Sequence, residues 1–242
     1  MKLKLASKKE FISNILSPIS NLNDKTVLKI EKDKISSITA SNDATLILYS
    51  ETSIEAESER SINIPDIKKF ARVLECVDTD AFELDVTSNN IKYAGGNFKF
   101  TFHLLEDGII KPPAINIKKV NDLKFDTIFK VQETKLTSLF KGSSFTTETN
   151  KLYIYFEDNK IYGELGDKNR ANSDNFQCVL ADTFTGTALN KTIPINFDTF
   201  RLISFGKCNE VEFAINTSLG VIKIVLVKDK TRLTYIVSAL IN

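Results

Sequence analysis

Leu105 to Val120 reads L-E-D-G-I-I-K-P-P-A-I-N-I-K-K-V, and this stretch decides how the rest of the chain is divided. Gly108 and the Pro112-Pro113 pair cannot continue a helix or a central strand, and Pro113 holds the residue before it extended. Glu106, Asp107, Lys111, Lys118 and Lys119 mark a surface segment. Ile109, Ile110, Ile115 and Ile117 are too apolar for a free tether, which would be rich in Gly and Ser. The stretch therefore reads as an extended connector lying against the body of the protein. It predicts one domain over residues 1–104, a connector over 105–122 and a second domain over 123–242.

Upstream, Lys2 to Ala6 alternates as a strand, and Ser7-Lys8-Lys9-Glu10 has the form of a capping box. Phe11, Ile12, Ile15, Leu16 and Ile19 follow at helical spacing, with Pro18 expected to end that helix early. Val27–Glu31, Ile35–Ala40 and Thr45–Ser50 read as strands, and Ser53–Arg60 as one showing Glu55, Glu57 and Glu59 to water. Pro65 and Asp66 open a second helix that buries Ile67, Phe70, Ala71, Leu74 and Val77. Strands at Phe82–Thr87, Ile91–Ala94 and Phe98–Leu104 complete the first half.

Downstream the order repeats. A strand at Leu123–Val131 precedes a helix from about Glu133 to Lys141, then a hairpin turns at Asp158-Asn159. Phe176–Leu180 is a strand, Ile193-Pro194-Ile195-Asn196 introduces a fourth helix, and three strands end the sequence. I-N-I-P-D-I-K-K-F-A-R-V-L from Ile62 is echoed by I-P-I-N-F-D-T-F-R-L-I-S-F from Ile193, an offset of about 130 residues that signals a duplicated unit. The predicted class is α+β: two similar domains, each an antiparallel sheet with two helices on one face.

Composition excludes several classes. The chain has 242 residues, 42% hydrophobic and 26% charged, the balance of an ordinary globular protein. The start shows no apolar signal region, and no uncharged run approaches the roughly 18 residues of a membrane span, so a cytoplasmic protein without a membrane partner is expected. Cys76, Cys178 and Cys208 are odd in number and widely spaced, which suits buried thiols in a reducing compartment and neither a disulfide framework nor a zinc site. His103, the only histidine, lies in an alternating run and reads as a sheet-surface residue. No nucleotide-binding or nucleophile-elbow motif occurs, and Asp78 and Asp80 fit turn chemistry. The expectation is a protein without catalytic residues, metal or cofactor.

Charge is more informative than the net value of +1. Exposed helix positions carry Lys8, Lys9, Lys68, Lys69, Arg72, Lys135, Lys141, Arg201 and Lys207, whereas acidic residues fall mostly in first turns or on strands. A basic helical face suits a phosphate backbone. Lysines on amphipathic helices also simply keep a surface wet, and the pattern alone leaves both readings open.

The chain resembles DNA sliding clamps, with segments similar to the clamp of T-even-like bacteriophages. The likeness rests on M-K-L at the start, I-P-D-I-K-K-F-A-R-V-L from Ile64 and G-I-I-K-P-P-A-I-N-I-K-K-V from Gly108. It continues in K-L-Y-I-Y-F-E-D-N-K-I-Y-G from Lys151 and I-N-F-D-T-F-R from Ile195. Order and spacing along the whole chain carry it, since no single segment is a signature.

The resemblance implies a fold like that of proliferating cell nuclear antigen and a homotrimeric ring around double-stranded DNA, contacted without sequence preference. It implies a processivity factor for a DNA polymerase, opened by an ATP-dependent clamp loader, with a possible part in viral late transcription. Lys141 and Arg201 match basic positions of the phage clamp. Lys68, Lys69 and Arg72 follow from their helix, with Lys8, Lys9, Lys135 and Lys207 as further candidates. By the same analogy the subunit interface pairs the edges Phe98–Leu104 and Phe176–Leu180, through Phe98, Phe100, Phe102, Phe176, Cys178 and Leu180. A sheet face buried within one domain explains those side chains equally well. Ile109, Ile110, Ile115 and Ile117, with Tyr235 and Val237 of the last strand, are expected to bind partner peptides or to pin the connector. The rival reading is a β-rich interaction or virion structural protein that encircles nothing.

Overall fold

Leu3 and Leu5 point inward and Lys2 and Lys4 outward, the period of two that makes Lys2–Leu5 a strand, β1. The computed structural model describes residues 1–240 apart from 148, 169, 171, 207 and 209. One unit comprises Met1–Ile115 with Lys228–Leu233, the other Asn116–Val227 with Thr234–Asn242.

In the first unit, β2 (Thr26–Ile30), β3 (Lys34–Ala40), β4 (Leu46–Ser53) and β6 (Arg60–Ile64) form an antiparallel series β4-β3-β2-β6. A second series runs β5-β1-β7-β8-β9, with β5 (Glu55–Ala56), β7 (Phe82–Val86), β8 (Asn90–Gly95) and β9 (Phe98–His103). The run Ser53–Arg60 is divided among strands: Ser53 ends β4, Arg60 opens β6, and only the two-residue β5 lies between, followed by Glu57, whose carboxylate accepts the Lys2 amide at 2.8 Å.

The first helical region is longer than Pro18 suggests: α1 (Lys8–Phe11), a π-helical turn (Ile12–Leu16) and α2 (Ser17–Ser20). The π turn shifts the hydrogen-bond ladder by one residue, so Pro18 falls in a first turn where no donor is needed. Helix α3 (Ile67–Glu75) starts at Asp66, whose carboxylate accepts the Lys69 amide at 2.8 Å.

The second unit repeats the plan. β10 (Thr127–Gln132), β16 (Glu210–Asn216) and β17 (Val221–Lys228) are neighbours in order, and β18 (Thr231–Ser238) follows β17. β11 (Lys151–Glu157), β12 (Lys160–Leu165), β13 (Phe176–Ala181) and β15 (Ile193–Asn196) are ordered β13-β12-β11-β15, and the two-residue β14 (Thr185–Gly186) flanks β10. Helices α5 (Glu133–Gly142) and α6 (Phe197–Arg201) meet through Phe140, whose ring lies 5.8 Å from Phe197 and 5.9 Å from Phe200.

The duplication is thus one of topology: β1-β7-β8-β9 corresponds to β10-β16-β17-β18, and β4-β3-β2-β6 to β13-β12-β11-β15. One correction concerns the connector. Its last part is not extended but a short helix, α4 (Ile117–Asn121), because Asn116 caps it by accepting the Lys119 amide at 3.2 Å.

Candidate nucleic-acid interface

On α3 the apolar residues Ile67, Phe70 and Leu74 are buried, and the helical period turns Lys68, Lys69 and Arg72 to solvent. The Lys68 ammonium stands 3.0 Å from the Asp24 carboxylate, both exposed. Among the described residues Lys69 and Arg72 have no ion-pair partner. Lys9 is exposed at the start of α1. Lys8 behaves differently: its ammonium donates to the carbonyls of Val77 and of Glu75 (3.4 Å), at the C-terminal end of α3. Its cation therefore caps a neighbouring helix, as the helix dipole favours.

In the second unit Lys141 is exposed in the last turn of α5, with Leu136 and Leu139 buried beneath it. Lys135 is half-buried and paired with Asp182 at 2.8 Å. That partner holds the Asp182 carboxyl below its ordinary range. Arg201 is exposed, 3.2 Å from Asp198, with its guanidinium 4.5 Å from the centre of the Phe197 ring. Lys207 lies outside the described residues. Each unit thus presents exposed basic side chains from two adjoining helices, and Lys8 and Lys135 are engaged within their own unit.

Both expected edge strands lie at the end of a sheet, β9 beside β8 and β13 beside β12. The Leu104 amide donates to Asn89 at 2.8 Å, so strand alternation leaves the backbone groups of Lys99, Thr101 and His103 directed outward. Side chains divide the predicted interface set. Phe98 and Phe100 are half-buried, but Phe102 is buried against Phe70. Phe176 and Cys178 are half-buried, and Leu180 is buried where a Cβ on Gly163 would touch it. Phe102 and Leu180 are therefore core residues: Phe98 and Phe100 share the face of Phe102, but only the end of each strand at Phe102 and at Leu180 is covered by its own unit.

The connector residues Ile109 and Ile110 line a groove of about 490 Å³ in the first unit, together with Val27, Ile38 and Ala40. Ile109 is exposed, and Ile115 and Ile117 are half-buried. Tyr235 and Val237 do not belong to any surface site, since both are fully buried and the Tyr235 hydroxyl accepts the Ser204 amide at 3.3 Å. That burial pushes the phenol up to about 12. The second unit has its own groove, about 520 Å³, past the end of that strand, where Leu219, Ala239, Leu240 and Pro194 line it. Sequence reading missed it; the signal available was the apolar Leu219 at the tip of a hairpin.

No family model matches the chain, and no curated protein matches it. Solved structures do. A. fulgidus PCNA, holding the C-terminal region of FEN-1, superposes with a TM-score of 0.79 over 100% of this chain and 98% of that one, at 12% identity. Proliferating Cellular Nuclear Antigen from Entamoeba histolytica gives 0.77 over 99% and 98%, at 13% identity. PCNA from Thermococcus kodakaraensis gives 0.77 over 99% of both, at 14% identity. The chain has the PCNA fold.

Within this PCNA fold, no group of three or more His, Cys, Asp or Glu is placed to hold a metal ion among the described residues. No described helix is long and apolar enough to cross a membrane. Of the three cysteines expected to be buried, only Cys208 is; Cys178 is half-buried and Cys76 exposed at the end of α3. His103 is exposed on β9, and Asp80 serves α1, its carboxylate accepting the Lys9 amide at 3.1 Å.

Proposed function

We propose that this protein is a non-catalytic sliding clamp: copies of the chain close head to tail into a ring around duplex DNA and hold a DNA polymerase on its template. The observation that carries the reading is the exposed basic residues on the paired helices of each unit, set in a PCNA fold that spans the whole chain. A ring is held by topology, so it needs only weak, sequence-blind phosphate contacts, which Lys68, Lys69, Arg72, Lys141 and Arg201 are placed to supply. Lys9 is a further candidate. The strands β9 and β13 are the edges proposed to pair between copies, in a heterologous contact that must close on itself.

The ring is proposed to be a homotrimer, opened by an ATP-dependent loader. The affinity to phage clamps, and with it a role in late transcription, is supported by the sequence segments alone. Short apolar peptides of partner proteins are proposed to dock on the grooves at Ile109–Ile110 and at Leu219–Leu240, with Ile115 and Ile117 beside the first. Support for this comes from the exposed apolar side chains there and from the FEN-1 segment bound by the A. fulgidus protein.

Loaded onto nicked circular DNA, the protein should stay bound at high salt and slide off once the circle is cut to a line. Retention that survives linearisation would replace encirclement with ordinary binding.

A further inference from the structure

Among the described residues Phe145 has the largest accessibility of any large apolar side chain, 61%, whereas the adjoining Thr146 is 4% accessible and its hydroxyl finds no hydrogen-bond partner among them. The loop is inside out for an isolated chain. Burying an unpaired hydroxyl is unfavourable, and exposing a phenylalanine forfeits the free energy its burial would return.

The place of Phe145 is defined. Its amide donates to the carbonyl of Gly142 at 3.0 Å, in the turn that closes α5. Gly142 lies so near the Phe176 ring that a Cβ there would collide with it, and Phe176 opens β13. Phe145 and Thr146 also share a small cavity with Ser173 and Asp174, just before that strand. Phe145 therefore flanks the open edge of the second unit.

The repeat shows what is missing. In the first unit the turn after α2 carries Leu22, whose amide donates to Ile19 at 3.0 Å, and this apolar residue is buried. There β4, the counterpart of β13, is met by the Lys228–Leu233 segment: Ser53 donates its amide to Lys230 at 3.4 Å, and the Thr231 hydroxyl bonds Thr52 at 2.9 Å. That segment leads into β18, and the strand holding the place of β18 in the first unit is β9. A strand of the β9 type thus belongs beside β13. β9 offers Phe98 and Phe100, half-buried and in ring contact with each other at 6.1 Å.

We propose that Phe145 anchors self-association, packing on the aromatic face of β9, at Phe98 and Phe100, of a second copy of this chain. The proposal rests on the head-to-tail reading above. Sedimentation velocity over a concentration series, on the full chain, tests it. Phe145→Ser should weaken self-association by about tenfold or more, as loss of a central aromatic anchor does, and should leave the circular dichroism spectrum unchanged. Val227→Ser, removing a similarly exposed apolar residue on β17, which lies between two strands and not at the edge (57% accessible), should leave association as it was. A Phe98→Ser, Phe145→Ser double variant should lose less than the sum of the two single losses. Parent-like association of Phe145→Ser, or strict additivity, overturns the anchor while leaving the ring in place. A parent chain that stays monomeric at every concentration overturns both. If Phe145→Ser fails to fold, Phe145→Lys carries the same expectation and the same refutation.

Discussion

The rings of Phe70 and Phe102 lie 4.9 Å apart, so the middle of α3 is fastened to the outermost strand of its sheet. This packing separates three phenylalanines that look alike in sequence. Phe102 is 5% accessible and belongs to the core, whereas Phe98 and Phe100 keep part of their surface. Phe102→Ala should cost about 3 to 5 kcal/mol, the usual range for a buried phenylalanine, seen as a lower denaturation midpoint. Phe98→Ser with Phe100→Ser should instead leave the midpoint nearly unchanged and shift the chain toward the monomer in light scattering. Equal loss of stability in both variants would return all three residues to the core.

Replacing Lys68, Lys69 and Arg72 together by alanine should shorten retention on nicked circular DNA and leave the assembly intact. Each phosphate that is no longer neutralised should reduce the slope of log affinity against log salt by about 0.9. Lys68 should add less than its full share, because Asp24 already stands 3.0 Å away. Disassembly of the ring by this triple change would mean that the α3 face is an interface between copies.

Lys8 and Asp80 tie α1 to the end of α3 from both sides. The Lys8 ammonium serves carbonyls at the C-terminal end of α3, and the Asp80 carboxylate accepts the Lys9 amide at the N-terminus of α1. Lys8→Ala should therefore lower stability by about 1 kcal/mol without changing the salt dependence of DNA retention. The Lys9 amide, followed by the Ser7 hydroxyl, holds the Asp80 carboxyl below its ordinary value. A carboxyl lowered by folding adds stability that is complete above the unfolded value of 3.8 and is lost as pH falls through the folded one. Asp80→Asn should flatten that part of the acid limb and leave the neutral plateau with a smaller drop. An unchanged acid limb would remove Asp80 from the helix contact.

Element type was legible where one period dominated. The stripe of Ile67, Phe70 and Leu74 placed Lys68, Lys69 and Arg72 on the exposed side, and the echo from Ile62 to Ile193 gave the repeat. Capping and backbone hydrogen bonds, which periodicity does not show, overrode the rest. The Glu57 carboxylate takes the Lys2 amide just past the short β5, Asn116 turns the end of the connector into α4, and a π turn carries the first helix past Pro18. Charge pattern could not tell a free lysine from an engaged one: Lys8 and Lys135 each find partners distant in sequence. The burial of Tyr235 and Val237 was legible in β18 itself: Leu233, Tyr235 and Val237 share one face and Arg232, Thr234 and Ser238 the other, an alternation that marks the first face as inward.

That burial moves the second docking candidate from the strand to the groove beyond its end, and the two places predict different variants. Leu219→Lys puts a charge on a side chain that is 59% accessible, so it should abolish binding of an apolar partner peptide while the thermal midpoint stays within a degree or two. Ile109→Asp should act the same way at the first groove. Val237→Ala removes a buried side chain and should lower the midpoint, by roughly 1 to 3 kcal/mol of stability, with peptide affinity of the folded fraction unchanged. Fluorescence anisotropy with a labelled apolar peptide, read beside thermal unfolding, separates these outcomes. Peptide binding lost in Val237→Ala but kept in Leu219→Lys would put the site back on the strand.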